Sequence, residues 1–182
     1  MLINHKSKQI ILLPFKCWTT STVEYFIKSE WRLLKSLHPY ISGDSRNFNE
    51  EYSIVDKHGN VVPHIYMKYD KILLIRNPYE RIISMWKWLY NLKEEITFEK
   101  FFNSQATKWP SCFPVTLNYP YDYIVRVEDY FDDFKKLNIH IDRNNFQQRN
   151  SFHTPEHTLT ELEKEIIYWF HKSDFDVGNY QK

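Results

Sequence analysis

Glycine is scarce in this sequence. Its 182 residues include three glycines, Gly43, Gly59 and Gly178, and no two of them are close together in the chain. The dinucleotide-binding pattern GxGxxG and the Walker pattern GxxxxGK[ST] each need glycines a few residues apart, so neither pattern is present. Any phosphate group that this protein binds must therefore be held without a glycine-rich loop.

The sequence also has few cysteines, a small net charge and no long apolar run. Cys17 and Cys112 are too few for a disulfide scaffold and have no CxxC spacing, so we expect two reduced thiols. The net charge of +1 gives no basic surplus for nucleic acid. No apolar run approaches the roughly 18–20 residues of a membrane span, and the first ten residues lack a signal-peptide core. We therefore expect a soluble, cytoplasmic protein with no membrane span and no nucleic-acid partner.

Apolar runs and helical periods predict alternating strands and helices. A short continuous apolar run is typical of a strand buried on both faces, and apolar residues three or four apart indicate a helix. The predicted strands are 10–13, 72–75 and 123–125, and the predicted helices are 19–35, 78–90 and 159–172. Residues 39–62 predict a loop with a hairpin around Gly59. We expect one α/β domain over residues 1–182, with a mainly parallel central sheet flanked by helices.

The segment after the first predicted strand favours an anion. Lys16 stands just before three hydroxyl residues, Thr19, Thr20 and Ser21, at the start of a predicted helix. Ligands of open α/β sheets bind beyond the carboxyl ends of the strands, and a helix N-terminus attracts negative charge. The segment could therefore bind phosphate or sulfate; alternatively, the hydroxyls only cap the helix and Lys16 is solvated.

The segment after the second predicted strand brings an arginine to the same edge. Arg76 ends the strand, and Asn77 and Pro78 then supply a helix cap and a first helical residue. An enzyme that uses a nucleoside triphosphate usually needs a carboxylate near this position to hold magnesium. Arginine would instead repel a metal ion and capture a phosphate. The segment therefore indicates a nucleotide with a separate terminal phosphate, used without magnesium.

Together these segments resemble the sulfotransferases that use 3′-phosphoadenosine 5′-phosphosulfate (PAPS), in particular their carbohydrate, Golgi-type branch. Residues 16–21 resemble the 5′-phosphosulfate loop of that family, and residues 76–84 resemble its 3′-phosphate motif, RDPxxRxxS. Residues 121–129 resemble its third strand and the acidic helix after it, and residues 150–180 resemble its C-terminal helix and closing aromatic turn, so the resemblance extends over about residues 10–182. It implies a P-loop-NTPase-like fold, PAPS as co-substrate, no metal, and a hydroxyl acceptor, most plausibly on a glycan.

The resemblance also implies roles for individual residues. Lys16 would neutralise charge on the bridging and leaving oxygens, and Arg76 and Ser84 would hold the 3′-phosphate. The loop residues that would bind the 5′-phosphosulfate are Lys16, Cys17, Trp18, Thr19, Thr20 and Ser21.

A general base for the acceptor hydroxyl is expected among the histidines and glutamates. His64 lies between the two nucleotide motifs, where some related enzymes carry a catalytic histidine, and we predict it as the base. His38 and Glu24 are the alternatives, and a purely structural role for His64 is equally open.

Other functions compete with this interpretation. One is a kinase-like enzyme that uses ATP and magnesium; another is a non-catalytic binding module of the same fold, favoured by the bulk of Trp18 in the loop. His153 and His157 fit the pattern HxxEH of some zinc peptidases, but Pro155 between them opposes the helix that this chemistry needs.

Aromatic residues are abundant, at 18% of the chain. Some could stack on sugar rings, although aromatic residues at helical spacing are usually part of a core. The candidates for stacking are Trp18, Trp86, Trp88, Trp109, Tyr119 and Tyr121. On the last predicted helix we expect an apolar stripe to face the core, formed by Leu159, Leu162, Ile166, Trp169 and Phe170.

Overall fold

The fold is an α/β arrangement of strands and helices. A computed structural model describes residues 1–14, 16–33, 53–55, 61–63, 68–92, 96–104, 114–117, 121–147 and 156–182. The strands are β1 (Leu2–Asn4), β2 (Gln9–Leu12), β3 (Arg32–Leu33), β4 (Ser53–Val55), β5 (Val61–Pro63), β6 (Asp70–Ile75) and β7 (Tyr123–Arg126). The helices are α1 (Thr19–Phe26), α2 (Pro78–Leu92), α3 (Phe98–Asn103), α4 (Tyr130–Lys136), α5 (Glu161–Phe170) and α6 (Lys172–Gly178).

The main sheet is mixed rather than mainly parallel. Its strand order is β3-β1-β2-β6-β7, in which β2, β6 and β7 are parallel and β1 is antiparallel to both β2 and β3. The antiparallel part follows from the four-residue turn 5–8 between β1 and β2, because a parallel connection needs a much longer crossover. The α/β class is thus confirmed, and the predicted parallel order holds for the three strands that carry the site.

The parallel strands are apolar because both of their faces are covered. On one face Ile11, Ile72 and Val125 pack in a cluster with residues of α1 and α4. On the other face Ile10 and Leu73 belong to a second cluster. Leu12 of β2 pairs with Leu73 of β6, so the carboxyl ends of these two strands lie side by side.

Helix α1 ends at Phe26, earlier than the predicted end at residue 35. Both the N–H and the hydroxyl of Ser29 donate to the carbonyl of Phe26, at 3.0 Å and 2.7 Å. These bonds occupy the carbonyl that the next turn of helix would use, and the chain turns into β3. Ile27, an apolar residue within the longer predicted helix, is accordingly 50% exposed.

Helix α2 begins where the sequence predicts. The side chain of Asn77 accepts from the N–H of Tyr79 at 2.9 Å, and Pro78 is the first helical residue. Its buried face includes Ile82, Trp86 and Leu89, as expected.

Helix α5 buries a different face from the one predicted. Leu162, Ile166, Trp169 and Phe170 are 46–67% exposed, and Ile167 is the buried residue of the helix. Ile167 joins the cluster formed by α2, and Tyr168 packs against Phe175 with the ring centroids 5.2 Å apart. Apolar residues stand on both sides of this helix, so its periodicity could not identify the side that contacts α2.

The predicted hairpin is present. β4 and β5 form a separate antiparallel pair in which Val55 is opposite Val61, and residues 56–60, which include Gly59, lie outside the described residues. Within the described ranges, none of the helices combines the length and the apolar character needed to cross a membrane.

Candidate anion-binding site

The loop after β2 adopts left-handed backbone conformations without glycine. Lys16 has φ 67° and Trp18 has φ 53°. Such conformations cost roughly 1–3 kcal/mol at a non-glycine residue and persist only where the surroundings enforce them. The carbonyl of Pro14 fixes the loop, because it accepts from the N–H of Cys17 at 3.3 Å and from the hydroxyl of Thr19 at 2.7 Å.

Packing of Cys17 and Trp18 anchors this loop. The Cys17 side chain is fully buried, and burial raises the pKa of its thiol to about 12. The ring of Trp18 packs against Tyr130 and Phe146, with centroid distances of 5.5 Å and 5.7 Å. The side chains of these two residues pack in the core, so the ligand binding predicted for them, which stays a prediction, would involve their backbone. Cys17 is a free thiol, and Cys112 lies outside the described residues.

The first turn of α1 presents free N–H groups beside this loop. The N–H of Thr22 donates to Trp18 at 2.9 Å, which is the first intrahelical bond. The N–H groups of Thr19 and Thr20 have no backbone acceptor in the part of the chain that the structure describes. Unsatisfied N–H groups and the helix dipole together favour a bound anion. The side chain of Ser21, by contrast, lines a different cleft, so its hydroxyl is not part of this site.

Two cationic side chains that follow adjacent parallel strands lie near each other. Arg76 follows β6 directly, and Lys16 follows β2. The pKa of Lys16 falls from 10.5 to about 7, first because of burial and then because of the nearby positive charge of Arg76. Arg76 also contacts Glu80, with 3.4 Å between nitrogen and oxygen. Two neighbouring cations are unfavourable in the empty protein and become favourable when an anion binds between them.

Helix α2 supplies the neighbouring wall. The Nζ atom of Lys16 lies 5.2 Å from the ring centroid of Trp88. Trp88 follows Ser84 by four residues, so the two share one face of the helix, and Ser84 is half-buried there. The sequence indicates this contact only through that spacing.

The carboxylate of Glu128 holds the turn that follows Arg76. It accepts from the N–H of Asn77 and from the hydroxyl of Tyr180, both at 2.8 Å. Burial and the charge of Glu128 raise the pKa of Tyr180, which keeps its proton on the phenol. Gly178 is required here because a Cβ at this position would overlap the ring of Tyr180. The sequence alone does not predict this contact, because it indicates only that acidic residues follow the third predicted strand.

Arg81 lies close to Arg76 in the sequence, but its role is structural. It is 2% exposed and contacts His171 at 3.1 Å and Asp174 at 3.4 Å. Asp174 also accepts from the N–H groups of Val115 and Thr116, each at 2.9 Å. This buried pair joins α2 to α6 and to the segment around residue 115.

The predicted general bases are not brought to the site by the described residues. His64 and His38 lie outside them. Glu24 lines a separate cleft, described below, and the alternative that assigns the base to Glu24 stays a prediction.

The described residues of the HxxEH pattern do not lie on a helix. Glu156 and His157 precede α5, while His153 lies outside the described residues. His157 stacks on Phe98 at 3.9 Å and contacts Glu163 at 3.3 Å. The described residues contain no group of three or more histidine, cysteine, aspartate or glutamate side chains placed to hold a metal ion.

Comparison with protein-family models, curated proteins and solved structures finds no match to this chain.

Proposed function

We propose that this protein is a PAPS-dependent sulfotransferase that transfers a sulfuryl group to a hydroxyl, most plausibly of a carbohydrate. The observation that carries the proposal is the proximity of Lys16 and Arg76 after adjacent strands, together with the first turn of α1, whose Thr19 and Thr20 N–H groups have no backbone acceptor among the described residues. The order of the two motifs and their placement after adjacent parallel strands support it as well. The proposal includes a P-loop-like fold for these strands and the predicted cytoplasmic location.

The chemistry assigned to the site is an in-line displacement at sulfur. The acceptor oxygen forms a bond to sulfur, the bond from sulfur to the phosphate oxygen breaks, and 3′,5′-ADP leaves. The acceptor proton passes to a general base. Such reactions depend on positioning and on neutralising charge at the oxygens. In this proposal Lys16 faces the bridging oxygen, the N–H groups of Thr19 and Thr20 face the 5′-phosphate, and Arg76 and Ser84 face the 3′-phosphate.

Nucleotide preference tests this proposal directly. A ligand that binds the native state raises the melting temperature, so thermal shifts with 3′,5′-ADP, ADP and ATP–magnesium compare the candidates. We expect stabilisation by 3′,5′-ADP without magnesium and little effect of ATP–magnesium. Stabilisation by ATP–magnesium alone would instead indicate a kinase-like enzyme. Binding of 3′,5′-ADP without sulfate transfer to any glycan of a panel would indicate a non-catalytic module.

His64 stays the predicted general base. Removing a general base typically lowers turnover by about 10²–10⁴ and leaves cofactor binding unchanged. The His64→Ala variant should therefore keep its affinity for 3′,5′-ADP and lose activity on that scale. A loss of less than tenfold would transfer the role to Glu24 or His38, whereas lost nucleotide binding would make His64 structural.

A further inference from the structure

A cleft of about 720 Å³ lies at the edge of the sheet where the parallel strands begin, opposite the anion-binding site. Asn4 and Gln9, which pair where β1 ends and β2 begins, line its floor. Ser21 and Tyr25, which share one face of α1, line one wall together with Lys28 from the turn after the helix. This volume is within the roughly 300–1,000 Å³ typical of small-molecule sites. We call it the amino-edge cleft.

Asn4 presents a fixed donor to this cleft. The residue is only 8% exposed, and its Oδ1 atom accepts from the N–H groups of Lys6 and Ser7 at 2.9 Å and 3.1 Å. Because both partners are donors, they determine which end of the amide is oxygen. The Nδ2 group has no acceptor in the described part of the protein, and Asn4 lines the cleft. A ligand oxygen would complete its bonding.

The opposite wall is also held in place. The hydroxyl of Tyr25 accepts from the N–H of Asp142 at 2.8 Å, which ties the turn at residues 142–145 to α1. The Asp142 carboxylate accepts from the backbone of Asn144 at 2.9 Å and from the side chain of Asn145. The side chains of Asn144 and Gln147 line the cleft and make no hydrogen bond within the described residues. The cleft is therefore formed before any ligand arrives.

Carboxamides are the most frequent type of side chain among the described lining residues, which also include Glu24, Lys28, Glu30 and His140. The carboxamide residues are Asn4, Gln9, Asn138, Asn144, Asn145 and Gln147. A carboxamide both donates and accepts, which matches a hydroxyl group better than it matches an ion. Glu24 and Lys28 oppose each other in charge, and Glu30 is paired with Lys6 at 3.1 Å.

We propose that the amino-edge cleft binds a neutral, hydroxyl-rich ligand, an unsulfated oligosaccharide. The described lining has Lys28 against Glu24 and Glu30, so it offers no surplus of positive charge to a sulfated glycan, and Phe26 and Trp31 are only 2% and 6% exposed, too little to hold an apolar ligand. This inference is independent of the proposed transferase activity, because the cleft and the anion site are at opposite edges of the sheet.

Ligand-observed NMR on the full chain tests the proposal. The probes are lactose, maltotriose, N,N′,N″-triacetylchitotriose and a neutral N-acetyllactosamine oligomer, with a heparin disaccharide as the anionic comparison. The test variant is Asn144→Ala combined with Gln147→Ala, since both side chains are exposed and make no internal bond. The control variant is Asn103→Ala combined with Gln181→Ala, which removes two exposed amides outside the cleft.

We expect saturation transfer to at least one neutral probe, reduced fivefold or more in the test variant and unchanged in the control variant. Saturating 3′,5′-ADP should not displace the probe, and equal melting temperatures would show that both variants are folded. The proposal is overturned if no neutral probe binds, if the heparin disaccharide binds more tightly, or if the test variant binds like the wild type. Failure of 3′,5′-ADP to bind would count against the transferase and leave this result intact.

Discussion

The low pKa of Lys16 makes anion affinity depend on pH. Below about pH 7 the ammonium is charged in the empty protein, and above that pH it is increasingly neutral. A bound phosphate favours the charged form, so binding above pH 7 must include uptake of a proton. We predict that the affinity for 3′,5′-ADP falls by up to about tenfold per pH unit between pH 7 and 9, measured by calorimetry.

The Lys16→Arg variant is the control for this effect. Arginine stays charged throughout this range, so the affinity of the variant should change little with pH. Wild-type affinity that is constant from pH 7 to 9 would show that Lys16 does not face the ligand.

Arg76 provides the second charge, and its loss should weaken binding strongly. Removing a charged partner of a phosphate costs about 2–4 kcal/mol, or roughly 30- to 700-fold in affinity. Arg76→Ala should show this loss for 3′,5′-ADP, and Ser84→Ala should show about 1 kcal/mol. Arg143→Ala is the matched control, because Arg143 is an exposed arginine paired with Asp132. Wild-type affinity in Arg76→Ala would contradict the motif assignment.

The site was partly predictable at the level of residues. The proximity of Lys16 and Arg76 follows from adjacent parallel strands that are each followed by a basic residue. The packing of Trp18 could not be predicted, because it depends on a left-handed backbone conformation at a position that has no glycine to indicate it. The bond of Glu128 to Asn77 joins residues distant in the sequence and becomes visible only once β6 and β7 are paired.

At the level of the elements, the turn between β1 and β2 contains a strained backbone conformation that a substitution could relieve. Lys8 has φ 54° and an exposed side chain. Glycine adopts this conformation without steric cost, so Lys8→Gly should raise the free energy of unfolding by about 0.5–1 kcal/mol in urea denaturation. Lys6→Gly, in the same turn without a positive φ, should lower it. Destabilisation by both substitutions would show that the Lys8 backbone is unstrained.

Element prediction succeeded where a local signal was strong and failed where contacts decide. The runs at Ile10 and Ile72 and the Asn77 cap each act within a few residues. β3 is only two residues long, and its existence depends on pairing with β1. The early end of α1 depends on Ser29, a residue type that also occurs inside helices.

For the whole molecule, the Asp174 side chain links segments that are far apart in the sequence, because it contacts Arg81 and the N–H groups of Val115 and Thr116. Burial opposes its charge, but bonds from His171 and Thr116 and the charge of Arg81 lower its pKa. Removing one member of a buried pair leaves the other uncompensated, at a cost of about 3–5 kcal/mol. Asp174→Ala should lose stability on this scale in thermal or urea unfolding.

Asp176→Ala is the control on the same helix. Asp176 forms an exposed pair with Lys172, so its loss should leave unfolding close to that of the wild type. Similar destabilisation in both variants would mean that the effect comes from α6 itself and not from the buried pair.

The sheet order also determines when the anion site can form during folding. β1 and β2 pair across a four-residue turn, a local step that occurs in microseconds in isolated hairpins. The site, in contrast, needs Ile10 beside Lys71 and Ile72 beside Tyr123, pairings that close long loops and slow folding. In a stopped-flow refolding experiment, capacity to bind 3′,5′-ADP should therefore arise with the final phase. A nucleotide present from the start would slow unfolding and leave the refolding rate unchanged.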